Sequence, residues 1–194
     1  MIVLGLTGGI GMGKSTVAKM FAAHGIPCFN ADAAVHQLQA PGGRAIPALA
    51  RAFPGTVNNG VLDRSKLRAL VLRDNAAMRR LEAIMHPMVY REEEKFRTAA
   101  FRAHRRAVLL DIPLLFEAGG YRRVHRTITV SCPRDVQIAR VLKRGLPLAQ
   151  IEAIIARQMP DAEKRRRAGH VIPTGLSKFH AQRAVRHIIE DLRK

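Results

Sequence analysis

The residues best placed to do chemistry stand near the start of the chain. Gly8-Gly9-Ile10-Gly11-Met12-Gly13-Lys14-Ser15 follows the apolar run Ile2-Val3-Leu4-Gly5-Leu6-Thr7 and fits the pattern G-x-x-x-x-G-K-[ST], with a strand before it and a helical pattern after it. Four glycines in six residues let the backbone curl around an anion with its N–H groups pointing inward. The following helix, expected from Lys14 to about His24, aims the positive end of its dipole at the same spot. Lys14 can then reach the β- and γ-phosphates of a nucleoside triphosphate, and the Ser15 hydroxyl can ligate Mg²⁺. A ligand-free glycine turn would rarely carry Lys and Ser at these two places.

Three further groups of polar residues fall where such a loop needs help. Asp32 lies just past the second apolar run. There it either orients an attacking hydroxyl and takes its proton or caps the helix expected over Ala33–Gln39; position alone leaves both readings open. Asp111 ends the run Ala107-Val108-Leu109-Leu110 and suits Mg²⁺, held directly or through water, or else caps the turn before Pro113. Glu117, six residues on, is open to an acceptor or to solvent. Gln137, Arg140 and Arg144 are spaced to share one helix face, and arginine planes over a triphosphate would neutralise charge developing in the transition state. Without the glycine loop, a solvated basic face would be the simpler reading. No His/Cys/Asp grouping has zinc spacing, and no Ser-His-Asp arrangement is suggested.

The elements that must position these groups alternate along the chain. Apolar β-type runs at Ile2–Thr7, Ile26–Phe29, Ala107–Ile112, Arg126–Val130 and His170–Ile172 are separated by helical stretches. That order predicts a doubly covered parallel sheet in an α/β/α sandwich. Ligands in such sheets gather at the carboxyl ends of the strands, which groups Gly8–Ser15, Asn30–Asp32, Asp111–Glu117 and Pro173–Gly175 at one mouth. Two helical insertions interrupt a single domain over residues 1–194. The first covers about 63–106 and is expected to break at His86-Pro87, because Pro87 has no N–H to give a helix interior. The second covers about 133–167, breaks at Gly145-Leu146-Pro147 and suits a lid.

Composition narrows the class of partner. With 47% hydrophobic and 25% charged residues the chain reads as a folded globular protein. Its apolar runs are too short for a membrane span, and the first strand begins without a secretory leader ahead of it, so a cytoplasmic protein is expected. Cys28 and Cys132 sit in or beside apolar runs and read as reduced core thiols. Lys and Arg number 33 against 15 Asp and Glu, a net charge of +18, so anionic partners are expected. Low aromatic content and the absence of Trp favour phosphorylated small molecules over a specific nucleic-acid site. The run Lys164-Arg165-Arg166-Arg167 reads as one exposed helix end, and oligomeric state is not legible.

Taken together, these pieces resemble the dephospho-CoA kinase family over nearly the whole chain. Leu6-Thr7-Gly8-Gly9-Ile10-Gly11 is narrower than a general phosphate-binding loop. Asp111-Ile112-Pro113-Leu114-Leu115-Phe116-Glu117 is similar to the family's Asp-x-Pro-Leu-Leu-Phe-Glu motif, Ala31-Asp32 and His36 to its Asp-Ala-Asp…His segment, and His86-Pro87 to its His-Pro element. Gln137, Arg140, Arg144 and Arg157-Gln158 resemble its lid pattern. The resemblance implies a P-loop kinase fold with a five-stranded parallel sheet, a helical CoA-binding insertion and a helical lid. It also implies transfer of the γ-phosphoryl of ATP to the ribose 3′-hydroxyl of dephospho-CoA, with Mg²⁺.

On this resemblance Asp32, Lys14 and Arg140 are catalytic. Gly9, Ile10, Gly11, Met12, Gly13, Lys14, Ser15, Thr16, Arg140, Arg144 and Gly175 bind ATP, and Ser15 and Asp111 bind the metal. Thr7, Asp32, His36, His86, Leu114, Leu115, Glu117 and Arg157 bind the acceptor. The chain departs from the pattern at Asn30, where an Asp is usual, at Met12 for Ser, and at His170 and Thr174, where Asp and Asn are expected.

Overall fold

A computed structural model of the chain describes residues 1–192. They fall into two compact units, Asn30–Ala99 and the remainder of the chain on either side of it.

The larger unit is built on a five-stranded sheet with strand order β2-β5-β1-β6-β7. Its members are β1 (Ile2–Thr7), β2 (Cys28–Asn30), β5 (Ala107–Asp111), β6 (Arg126–Ser131) and β7 (His170–Pro173). β1 runs parallel to both β5 and β6, with Leu6 level with Asp111 on one side and Ile128 on the other, and β6 runs parallel to β7. All five residues of β5 are buried, as a strand covered on both faces requires. On one face α1 (Lys14–Ala23) and α9 (Lys178–Asp191) pack through Val17, Phe21, Val185 and Ile188 against Leu4, Leu109, Ile128 and Ile172. α6 (Arg134–Leu142), α7 (Leu148–Ala156) and α8 (Asp161–Arg167) occupy the second insertion, and α8 packs on β6.

The smaller unit holds α2 (Ala31–Leu38), α3 (Ile46–Ala52), a hairpin of β3 (Val57–Asn58) and β4 (Val61–Leu62), α4 (Arg64–Arg73) and most of α5 (Asn75–Arg102). Its own apolar cluster gathers Leu38, Leu49, Phe53, Leu67, Val71 and Met85.

Two expectations need correcting here, and one element was not foreseen. α5 does not break at His86-Pro87; it continues through Pro87 for 28 residues. The bond that Pro87 forfeits is offset by apolar packing on both sides of it, since Met85 is buried in the cluster and Ile84, Met88 and Val89 pack against it. The hairpin, only two residues per strand, was invisible to any periodicity test. Lys164 is not part of an exposed basic end: its side chain is 1% exposed, while Arg165, Arg166 and Arg167 are exposed.

Candidate active site

The glycine loop connects β1 to α1 and is held from both sides. Thr7, fully buried at the end of β1, donates its hydroxyl proton to the Pro113 carbonyl at 2.8 Å, tying the loop's root to the segment after β5. Within the loop Gly11 and Gly13 take φ of 76° and 91°, the left-handed region open to glycine. A Cβ at Gly11 would also strike Val141 and the Gln137 carbonyl, because α6 lies directly over the loop. α1 starts at Lys14 with Gly13 in the N-cap position, so the amides of Lys14 and Ser15 have no partner further back in the helix. This is the arrangement that favours an anion.

Lys14 and Asp111 form an ion pair, with the lysine side chain 14% exposed and the carboxylate 1%. Neighbouring Cys28 feels that carboxylate. Burial first, and then the negative charge of Asp111, push its thiol up to about 11, with Lys14 pulling the other way. Cys28 and Cys132 are both free thiols. Ser15 and Thr16 are exposed at the head of α1.

The stretch from α6 to α8 contributes a set of polar contacts to the loop. Gln137, buried on α6, donates its amide to the Ile10 carbonyl at 2.8 Å, and the Ile10 amide donates to the Gln158 side chain at 3.2 Å. The Arg140 guanidinium donates to the Thr174 carbonyl at 2.6 Å and to its hydroxyl at 3.2 Å. The Thr174 hydroxyl donates in turn to the Met12 carbonyl at 2.6 Å. Met12 Sδ accepts from the Cys132 amide at 3.2 Å, so the Met that replaces Ser in the loop is used as an apolar anchor. A cavity of about 350 Å³ opens beside these groups, lined by Gly13, Thr16, Met20, Arg140, Arg144, Thr174 and Leu176. Arg144 lies just beyond the end of α6, in the turn whose amide bonds to Val141, and lines the same cavity as Arg140. Gly175 packs so close to Pro133 that no side chain would fit there.

After β5, Leu115 is wholly buried while Leu114 is 44% exposed, so only Leu114 offers a side chain to the surface. Glu117 Oε1 lies 2.8 Å from Lys164 Nζ and accepts the Met159 amide proton at 3.0 Å. Burial alone would raise the Glu117 carboxyl. The bonds from Lys164, its own backbone and Met159, with the lysine charge, outweigh that and leave it below the usual carboxylate range. Arg157 is exposed at the C-terminal end of α7.

In the smaller unit the structure separates the two readings of Asp32. The N-cap of α2 is Asn30, whose side-chain oxygen accepts from the Ala33 amide at 2.8 Å. Asp32 sits inside the first turn, exposed, and among the described residues no hydrogen bond or ion pair is seen on its carboxylate. The Asn that departs from the family pattern therefore does the capping, and Asp32 is not spent on it. His36 is fixed by Arg64, which bonds its ring Nδ1 at 2.7 Å and its carbonyl at 3.2 Å. His86 is exposed on α5, its ring 6.0 Å from that of Tyr90.

Among the described residues no group of three or more His, Cys, Asp or Glu could hold a metal. Among the described residues no helix is long and apolar enough to cross a membrane.

A family model described as dephospho-CoA kinase matches residues 2–177. The chain belongs to the dephospho-CoA kinase family. The dephospho-CoA kinase of Bradyrhizobium diazoefficiens is 51% identical over 197 residues, spanning 100% of this chain and 97% of its own. That of Mesorhizobium japonicum is 50% identical over 194 residues, spanning 100% and 98%. In fold, the chain superposes on the solved dephospho-CoA kinase from Campylobacter jejuni with a TM-score of 0.71 at 22% identity, over 98% of this chain and 96% of that one. Membership makes it an enzyme, a phosphotransferase of coenzyme A synthesis, and confirms the P-loop kinase sandwich that the strand order implied.

The polar clamp was only partly legible. Gln137 and Gln158 were marked by the lid pattern and Ile10 as a loop residue, but the bonds that join them were not foreseen. Thr174 was marked only as a departure, and buried Lys164 was hidden inside a basic run.

Proposed function

We propose that the chain transfers the γ-phosphoryl group of ATP to the ribose 3′-hydroxyl of dephospho-CoA, giving CoA and ADP in the cytoplasm. The observation that carries this reading is the glycine loop itself, with Lys14 at its mouth and Arg140 held beside it by Thr174. The loop amides and the head of α1 would cradle the β- and γ-phosphates. Lys14 would leave Asp111 for the phosphate oxygens, and Arg140 with Arg144 would face the same chain of phosphates, offsetting charge as the transferring group loosens. The 350 Å³ cavity beyond Thr16 and Thr174 has room for the nucleoside.

Ser15 and Asp111 offer the hard oxygen donors that Mg²⁺ takes and would hold it, directly or through water; its chemistry there is to neutralise phosphate charge. Asp32 accepts the proton as the 3′-oxygen bonds to the γ-phosphorus and the bond from that phosphorus to the ADP oxygen breaks. The support is its place directly after β2, together with a carboxylate that Asn30 spares from capping. His36, His86 and Leu114 are the acceptor contacts we assign with it.

The test is ADP release from Mg-ATP with and without dephospho-CoA, with the product weighed and its phosphate located. Acceptor-dependent turnover with one phosphate added at the 3′ position supports the reading. Equal turnover without acceptor, or phosphate elsewhere, contradicts it.

A further inference from the structure

Lys164 is a charged side chain that nothing above uses, yet it is one of the most completely buried large residues of the chain. Taking an ammonium out of water is costly unless it is paired, and its partner is Glu117, 2.8 Å away. The same carboxylate oxygen accepts the Met159 amide. The residue before Met159 is Gln158, whose side chain holds the Ile10 amide of the glycine loop, while Gln137 holds the Ile10 carbonyl. Lys164, Glu117 and Met159 on one side, and Gln158 and Ile10 on the other, are thus joined by polar contacts that meet at the peptide bond between Gln158 and Met159, linking α8 to the phosphate loop.

We infer that Lys164 is a positioning residue for nucleotide binding: it fixes Glu117, Glu117 fixes the return segment of the lid, and that segment sets the geometry of the loop at Ile10. Glu117 on this assignment is an anchor for the lid and not a contact of the acceptor. The inference rests on the proposal that the loop takes ATP, but it makes a claim about the loop that does not require nucleotide.

The fold leaves room to test this without losing α8. Asp161, at the helix start, accepts from the Ser131 hydroxyl at 2.7 Å, and the Lys164 carbonyl accepts from Thr129. These ties do not involve the ammonium. Lys164→Met keeps an apolar stem of similar length in the buried channel and removes only the charge.

Two readouts decide the matter. In nucleotide-free protein, hydrogen exchange at the Ile10 amide should quicken by about tenfold in Lys164→Met and in Glu117→Gln. By titration without acceptor, each variant should bind Mg-ATP about tenfold more weakly. The double variant should be no worse than either single one, because both break the same link. The KM for dephospho-CoA should stay within about twofold. Unchanged Ile10 exchange in a folded Lys164→Met protein would overturn the inference. So would a rise in the KM for dephospho-CoA at unchanged ATP affinity in Glu117→Gln, which would make Glu117 an acceptor contact. Quickened exchange in the two variants, beside a wild type that itself binds no Mg-ATP, would instead uphold the link and refute the functional reading.

Discussion

The two units solve different problems with different materials. The larger one carries 22 Lys and Arg against 8 Asp and Glu, the smaller one 11 against 7. Most of the surplus positive charge thus belongs to the unit that holds the phosphate loop, where several phosphates must be brought together. The larger unit also fixes its key groups by side-chain bonds to backbone, as in Gln137 and Gln158 on Ile10 and Arg140 on Thr174. In the smaller unit the candidate groups Asp32, His36 and His86 are all exposed, and of the three side chains only that of His36 is held by a hydrogen bond among the described residues, from Arg64. A loop that must present amides to an anion needs its backbone immobilised in advance, since preorganised dipoles cost nothing to reorient during reaction. A carboxylate that must receive a proton needs to be uncommitted.

That contrast can be broken most severely at Lys14. Lys14→Ala removes the one charged side chain of the loop, which we assign to phosphate, and should lower kcat/KM by about a thousandfold. Steady-state kinetics with both substrates varied would show it, and a loss below tenfold would mean the loop works by backbone alone. Thr174→Val is a subtler cut. It keeps the shape and deletes the hydroxyl shared by Met12 and Arg140, so ATP affinity should fall by about tenfold, read by titration, with the KM for dephospho-CoA unmoved.

The smallest effect is one of pH. Glu117 has its carboxyl lowered in the folded state, so it contributes stability above its unfolded pKa of about 4.3. That contribution is lost as pH falls through the depressed folded value. Thermal melts across this acid range should show wild type losing stability that Lys164→Met has already lost, so the two curves converge at low pH. Parallel curves would show that the pair is electrostatically inert.

The sheet was legible because several of its strands, β1 and β5 above all, are apolar runs without alternation, as strands covered on both faces are, and the loop because its glycines, Lys14 and Ser15 sit in fixed order. What escaped the sequence depends on distant pairing. Nothing in the run Lys164 to Arg167 distinguishes the one residue that turns inward, since burial is set by Glu117, 47 positions earlier. Pro87 signalled a break because the rule for helix interiors is local, whereas the packing of Met85 and its neighbours that overrides it is tertiary. Asp32 remained ambiguous until Asn30 was seen to take the cap. A sequence shows two residues able to cap a helix; only the hydrogen bond to Ala33 tells which one does.

The division between a fixed phosphate loop and an uncommitted carboxylate is tested most directly by Asp32→Asn, with turnover and Mg-ATP binding measured on the same preparation. The account predicts a fall in kcat on the order of a hundredfold or more, with the ATP dissociation constant within about twofold of wild type. A kcat within a few-fold of wild type would show that the proton of the acceptor hydroxyl goes elsewhere, and would contradict the assignment of Asp32 as the base.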